Sequence, residues 1–202
     1  MVILALSPHT DDVELCAGGT VARFVAEGMS ICVAAFGTGD AGSGANSDEY
    51  TAAMRILGVT DFRLLDQFPA CHYPDHRQAI LAQLEVLRNE IHPDLVLCPS
   101  VNDNHQDHAT VTRETVRAFK YYASILAYEA PWNFVAEPFR PSYFVKLEQW
   151  HLDAKMDALE CYVSQSERAY WDMDFIRGQA LVHGMRVQVR YAEAFEVVRW
   201  IR

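Results

Sequence analysis

The sequence lacks closely paired cysteines, which excludes the motifs that such pairs usually form. The five cysteines are scattered and odd in number, and no two of them form a C-x-x-C pair: Cys16, Cys32, Cys71, Cys98 and Cys161. A disulfide framework is therefore not expected, and isolated free thiols are typical of a reducing compartment. The sequence predicts a cytoplasmic protein.

Long hydrophobic runs are also absent, although 50% of the residues are hydrophobic. No run approaches the roughly 20 apolar residues that a membrane helix requires, so no membrane span is expected. The apolar segment Met1–Leu6 lacks the basic leader and the cleavage site of a signal peptide. We therefore predict that this segment is a buried strand.

Positive charge is in deficit as well. The chain has 17 Lys and Arg residues against 27 Asp and Glu residues, a formal net charge of −10, and no basic cluster. Nucleic acids and anionic membranes bind concentrated positive charge. A small-molecule substrate is therefore expected instead of either of these partners.

Short apolar runs alternate with segments of helical periodicity along the chain. The apolar runs predict strands at residues 2–6, 30–36, 62–65, 95–98, 125–128 and 143–145. Between them lie segments long enough for helices, such as the one in which Ile80, Leu84, Leu87 and Ile91 recur at helical spacing. Because parallel strands require long crossovers, this order predicts an α/β fold with a mostly parallel sheet, helices on both faces and a single domain over residues 1–202.

Ligands of such sheets bind beyond the carboxyl ends of the strands, so function is expected in the loops after the first, second and fourth strands. The loop after the second strand is rich in glycine over residues 37–44. Gly18 and Gly19 follow the first strand, but the G-x-G-x-x-G pattern of dinucleotide sites is absent. A nicotinamide site is therefore not expected.

The loops after the first and fourth strands are rich in side chains that bind metals. The first reads Ser7-Pro8-His9-Thr10-Asp11-Asp12-Val13-Glu14, and the second reads Asn102-Asp103-Asn104-His105-Gln106-Asp107-His108. Two histidines and one carboxylate form the ligand set of many zinc hydrolases, which leave an open position for water. Water bound to such a zinc ion has a pKa of about 7.

Neighbouring residues in both loops leave several roles open. Asp11 and Asp12 cannot point the same way, so one is expected to bind metal and the other to act as a general base near the water. Either both His105 and His108 bind metal, or one binds while the other stabilises the oxyanion of a tetrahedral intermediate. Asp107 is expected to hold its neighbours in place. Glu14 is expected to have a structural role, such as a favourable charge at a helix start or a hydrogen bond to a ligand.

The two loops resemble the signature of the PIG-L/LmbE-like N-acetylglucosamine deacetylases, A-H-P-D-D-x-E followed by H-x-D-H. Segments 155–165 and 191–196 also resemble family features, so the similarity covers nearly the whole chain. The resemblance implies a Rossmann-like fold with zinc bound by His9, Asp12 and His108. It also implies that Asp11 is the general base and that His105 is the electrostatic stabiliser.

Three departures from the family pattern limit what the resemblance implies. Thr10 replaces the usual proline, Asn46 stands where some members use an arginine to hold the substrate, and Asp103 stands where some relatives have a tyrosine. Substrate recognition is therefore expected to differ from that of the best-known members. Trp132, in a predicted loop, is a candidate for stacking on a sugar.

The predicted function is zinc-dependent N-deacetylation of an N-acetylglucosamine-type amino sugar, and a homo-oligomer is compatible with the family resemblance. Fe²⁺ is an alternative metal, because a mixed nitrogen and oxygen ligand set does not select strongly among metals. A metal-dependent hydrolase of another amide or ester is the alternative enzyme. A non-catalytic sugar- or nucleotide-binding module is the alternative class, which Asp11 disfavours because a binding protein needs no general base.

Overall fold

In the part of the chain that the structure describes, seven strands form one sheet, and six α-helices pack on its two faces. This arrangement is seen in a computed structural model that describes residues 1–38, 47–135 and 137–201. The strands are β1 Val2–His9, β2 Ser30–Gly37, β3 Asp61–Leu64, β4 Leu95–Pro99, β5 Ser124–Tyr128, β6 Tyr143–Leu147 and β7 Tyr191–Arg199. The helices are α1 Asp12–Ala26, α2 Ser47–Ile56, α3 Tyr73–Ile91, α4 Gln106–Phe119, α5 Gln149–Glu160 and α6 Met173–Arg186.

The strand order places a topological switch point between β1 and β4. The order across the sheet is β3-β2-β1-β4-β5-β7-β6. Strands β1 to β5 pair in parallel, whereas β7 pairs antiparallel with both β5 and β6. The prediction of a mostly parallel α/β sheet is confirmed. Because ligands of open α/β sheets bind in the crevice at the switch point, the ends of β1 and β4 are where a site is expected.

The sheet separates two hydrophobic cores. Along β1, Ile3 and Ala5 face a core shared with α1, α2, α5 and α6, whereas Leu4 and Leu6 face a core shared with α3 and α4. Both faces of the strand are therefore buried, which is why its sequence is continuously apolar and does not alternate. Among the described residues, no helix is both long and apolar enough to cross a membrane.

The glycine pair in α1 serves helix packing. A Cβ atom on Gly19 would lie 2.6 Å from Leu147 Cδ1, and one on Gly18 would lie 3.1 Å from Lys155 Cγ. A side chain at either position would have to displace the Leu147 or Lys155 side chain. The pair therefore permits close approach of α1 to α5 and β6.

The last two elements, α6 and β7, have no counterpart in the predicted strands and helices. The outward face of α6 carries Phe175, Val182 and Met185, which are 43%, 62% and 75% exposed, so the helix shows no clear apolar stripe. Strand β7 carries two buried glutamates, Glu193 and Glu196. Because these two buried residues are charged, the strand does not show the apolar pattern by which buried strands are predicted from sequence.

The predicted glycine-rich loop lies outside the described residues from residue 39, and Asn46 also lies outside them.

Candidate active site

The first loop turns sharply between the end of β1 and the start of α1. Strand β1 ends at His9, and α1 begins at Asp12. The backbone N–H of His9 donates to Asp12 Oδ2 at 2.8 Å, which folds the carboxylate back toward the histidine. Asp11 occupies the position before the helix, but its side chain makes no capping hydrogen bond. The Asp11 carboxylate is therefore not used to cap helix α1.

Three tyrosines from three different parts of the chain fasten the backbone of this loop. Each phenol donates a hydrogen bond to a main-chain carbonyl oxygen. Tyr128, Tyr73 and Tyr162 bind the carbonyl oxygens of Leu6, Pro8 and Thr10, respectively. The three phenols fix the path of the backbone from which His9 and Asp11 project.

The second loop ends at the start of α4, with His105 as its capping residue. His105 Nδ1 accepts a hydrogen bond from the backbone N–H of Asp107 at 3.2 Å, and His105 N–H donates to Asp103 Oδ1 at 2.8 Å. His108 follows in the first turn of the helix. Helix α4 therefore begins at Gln106, directly after the histidine that caps it.

His9, Asp12 and His108 converge at the switch point in an arrangement that suits a metal ion. One ligand atom from each lies within 4.8 Å of the others. Asp12 Oδ2 is 3.3 Å from His9 Nδ1, and Asp12 Oδ1 is 3.3 Å from His108 Nε2. These residues give the two imidazole nitrogens and one carboxylate that catalytic zinc sites use.

The other ring nitrogen of each histidine is held by a second carboxylate. His9 Nε2 lies 3.1 Å from Asp107 Oδ2, and His108 Nδ1 lies 2.7 Å from Asp103 Oδ2. Both of these aspartates are fully buried at their side chains. Histidines that bind metals usually donate their second N–H to such a carboxylate, which orients the ring and fixes its tautomer. This donor chemistry fits a divalent metal bound through His9 Nδ1 and His108 Nε2.

A second group, His9, His105 and Asp107, also brings three donor atoms together. It suits a metal less well, because the Asp107 carboxylate already accepts hydrogen bonds from two backbone N–H groups. Cys71 N donates to Oδ2 at 2.6 Å, and Tyr73 N donates to Oδ1 at 3.1 Å. The expectation that Asp107 holds its neighbours in place agrees with these contacts.

The carboxylates set the protonation of the two histidines. Burial alone would lower their pKa values, but Asp107 and Asp12 raise the pKa of His9 to about 9, and Asp12 with Asp103 raises the pKa of His108 to about 10. Burial would raise the pKa of Asp12, but His108 and His9 hold it below its usual range. Since only neutral imidazole binds a metal, protons and metal compete for this site.

Asp11 and His105 lie beside the donor set with different electrostatics. Burial and then the negative charge of Asp12 raise the pKa of Asp11 to about 6, which suits a group that accepts a proton near neutral pH. Burial, followed by the charges of His108 and His9, lowers the pKa of His105. Because Nδ1 of His105 accepts a backbone hydrogen bond, the neutral ring carries its proton on Nε2 as a donor.

Two residues gain a structural explanation that the sequence did not provide. Asp103, singled out only as a departure from the family pattern, binds His108, the backbone of His105 and Asn133 Nδ2. Glu14 is fully buried, and its carboxyl contacts the Tyr162 hydroxyl, whose single proton is shared between Glu14 and the Thr10 carbonyl oxygen. Glu14 therefore positions the tyrosine that binds the first loop.

Known proteins resemble this chain in both sequence and fold. A family model described as PIG-L, GlcNAc-PI de-N-acetylase, matches residues 4–119. The chain is 27% identical over 169 residues to the uncharacterized deacetylase YaiS of Escherichia coli strain K12, which covers 80% of this chain and 90% of that protein. It is 24% identical over 223 residues to the diacetylchitobiose deacetylase of Thermococcus kodakarensis, covering 97% of this chain and 82% of that protein.

One solved structure with the same fold is named for a different reaction. The 4-carboxy-2-hydroxymuconate hydratase GalB from Pseudomonas putida KT2440 superposes with a TM-score of 0.76 at 20% identity, and the match covers 100% of this chain and 97% of that one. At this identity the similarity establishes the fold and not the reaction. The family match is more specific, because it spans more than half of the chain and includes both loops of the site. The chain therefore belongs to the PIG-L family of de-N-acetylases, which are hydrolases of amide bonds.

Proposed function

We propose that this protein is a zinc-dependent N-deacetylase that releases acetate from an N-acetylated amino sugar of the N-acetylglucosamine type. The observation that carries the proposal is Asp11, a buried carboxylate that lies beside the donor set of His9, Asp12 and His108 without belonging to it. The family match and the relatives named as deacetylases support the reaction class. The name of the Thermococcus protein supports an amino-sugar substrate.

His9, Asp12 and His108 would hold the metal, with Asp107 and Asp103 orienting the two histidines. When bound, a divalent zinc ion supplies positive charge that polarises the acyl carbonyl and lowers the pKa of water. Ferrous iron fits the same mixed donor set, so it is the alternative metal.

Asp11 is proposed as the group that moves the proton. It takes a proton from the attacking water as the water oxygen bonds to the acyl carbon. It then returns that proton to the nitrogen as the C–N bond breaks, so the products are acetate and a free amine. A pKa of about 6 lets this carboxylate accept and release a proton near neutral pH.

His105 is proposed to stabilise the negative charge that develops on the carbonyl oxygen. Its Nε2–H points away from the helix start that its Nδ1 caps. Since the pKa of His105 is lowered, the ring is a neutral donor at pH 7. A donor that is already oriented costs no reorganisation when charge develops, and one such donor contributes roughly 10²- to 10³-fold to kcat.

The first test is hydrolysis by the zinc-loaded protein of a methyl N-acetylglucosaminide and of N,N'-diacetylchitobiose. We expect equal amounts of acetate and primary amine, and a fall in kcat of about 10²- to 10⁴-fold for Asp11→Asn with bound zinc unchanged. Asp157→Asn is the matched control, because Asp157 is exposed on α5. Release of acetate from an O-acetylated sugar, with no amine released from either N-acetyl sugar, would favour an ester substrate. Retained zinc without turnover would favour the binding module.

A further inference from the structure

The segment after α5 lies directly against the first loop of the site. The Tyr162 ring packs against Trp171 with centroids 5.6 Å apart, and the Tyr162 hydroxyl binds the carbonyl oxygen of Thr10. Ser164 is fixed to α2 by hydrogen bonds to Glu49 at 2.6 and 3.0 Å. The residues between Ser164 and Trp171 are therefore held close to the backbone that carries Asp11.

Tyr170, within this segment, stacks on Trp132, which lies in the turn that follows β5. The two ring centroids are 4.5 Å apart, and the planes differ by 12°. Trp132 lies in the 3₁₀ turn Pro131–Asn133, whose Asn133 side chain donates to Asp103 Oδ2 at 3.2 Å. The aromatic pair is thus connected through Asn133 to the carboxylate that orients His108. Both rings remain partly exposed.

Arg168 adds a guanidinium beside this pair. Its Nη1 donates to the Tyr170 hydroxyl at 2.7 Å, and its Cζ lies 5.8 Å from the centre of the Tyr170 ring. Its positive charge acts against the rise in the pKa of Asp11, which places it within electrostatic reach of that carboxylate. Arg168 and Tyr170, which stacks on Trp132, therefore both lie within electrostatic reach of the residue that would accept the proton.

We propose that Trp132, Tyr170 and Arg168 form the wall that recognises the pyranose ring of the substrate. This inference rests on the proposed function and names the residues that would select its substrate. A pyranose presents an apolar C–H face, which an aromatic surface can cover, and a rim of hydroxyls, which a guanidinium fork can bind. Binding sites usually combine apolar and aromatic lining with a few fixed polar groups in this way.

The wall acts on the sugar and not on the acyl group, so its removal should affect the two parts of the reaction differently. For the zinc-loaded Trp132→Ala variant we expect KM for methyl N-acetylglucosaminide to rise about tenfold with a much smaller change in kcat. Inhibition by methyl glucosaminide should weaken by a similar factor. Inhibition by acetate, which has no ring, should stay within about twofold of wild type. Zinc content should be unchanged.

Two further variants separate the contributions of the wall. Arg168→Lys keeps the charge but loses the fork, so it should raise KM while zinc content and acetate inhibition stay as in wild type. Trp200→Ala is the matched control, because Trp200 is an exposed tryptophan (55%) that lies far from the site. It follows β7, and the backbone of the next residue, Ile201, binds Ser124 at the start of β5, whereas the site lies beyond the carboxyl ends of the strands. This control should leave all constants unchanged.

Two outcomes would overturn the wall. The first is an unchanged KM in Trp132→Ala, and the second is an equal weakening of methyl glucosaminide and acetate inhibition, which indicates a disturbed site. If the wild-type protein releases no amine from any N-acetyl amino sugar, it is the proposed function that fails. The wall is then tested by calorimetric binding of methyl N-acetylglucosaminide. Weaker binding to Trp132→Ala than to wild type supports it, and equal or absent binding refutes it.

Discussion

Metal binding to this protein should displace about two protons at pH 8. At that pH His9, with a pKa of about 9, and His108, with a pKa of about 10, are both mostly protonated in the metal-free site. Both rings must be neutral to bind a metal, so each ion that binds releases close to one proton from each histidine. Asp11, with a pKa of about 6, is already ionised and contributes almost none. The apparent affinity should therefore rise by nearly 100-fold per pH unit up to about pH 8.

Isothermal titration of the metal-free protein with zinc, in buffers that differ in ionisation enthalpy, measures this proton number directly. His105→Ala is the matched control, because the pKa of His105 is lowered and the neutral ring has no proton to release. Asp103→Asn should move the number toward one, since Asp103 helps to keep His108 protonated. A proton number near zero for wild type at pH 8 would refute the electrostatic account of the site.

Three other predictions follow from the same contacts. His105→Gln should lower kcat about 10²- to 10³-fold while zinc content, measured by elemental analysis, stays constant. With zinc kept saturating at each pH, the kcat of the wild-type enzyme should fall as the pH drops below about 6, because proton uptake requires ionised Asp11, and this acid limb should be lost from the residual rate of Asp11→Asn. Lys155→Met should lower the free energy of unfolding by about 3–5 kcal/mol in urea titrations, because it leaves Glu193 buried without its partner at 2.7 Å. Arg140→Met, at an exposed pair, should change it little.

The placement of the site could be predicted from sequence because its donors are local to two loops. His9 and Asp12 stand three residues apart, as do His105 and His108, and each pair follows a recognisable apolar strand. Parallel pairing of β1 with β4 then brings the two loops together without further information. The short spacing of these residues after two neighbouring strands was sufficient to predict where the site lies.

The supporting contacts could not be predicted because they join residues that are distant along the chain. Tyr162 reaches Thr10 across 152 positions, and Lys155 reaches Glu193 across 38. Neither partner has a local signal for the other. The same reason explains why β7 was missed, since its buried glutamates are compatible with a strand only once Lys155, Ser100 and backbone donors are in place.

The tyrosine contacts to the first loop have a consequence for how its sequence can vary. All three hydroxyls bind main-chain carbonyl oxygens, which every amino acid supplies, so the path of the loop does not depend on the side chains at positions 8 and 10. The Thr10 hydroxyl is buried and has no hydrogen-bond partner among the described residues, so it contributes nothing that valine would lack. Threonine can therefore replace the usual proline at position 10 without moving His9 and Asp12 from their positions in the site. Drift at these two positions is therefore weak evidence for a change in chemistry, whereas loss of one of the three phenols would be strong evidence.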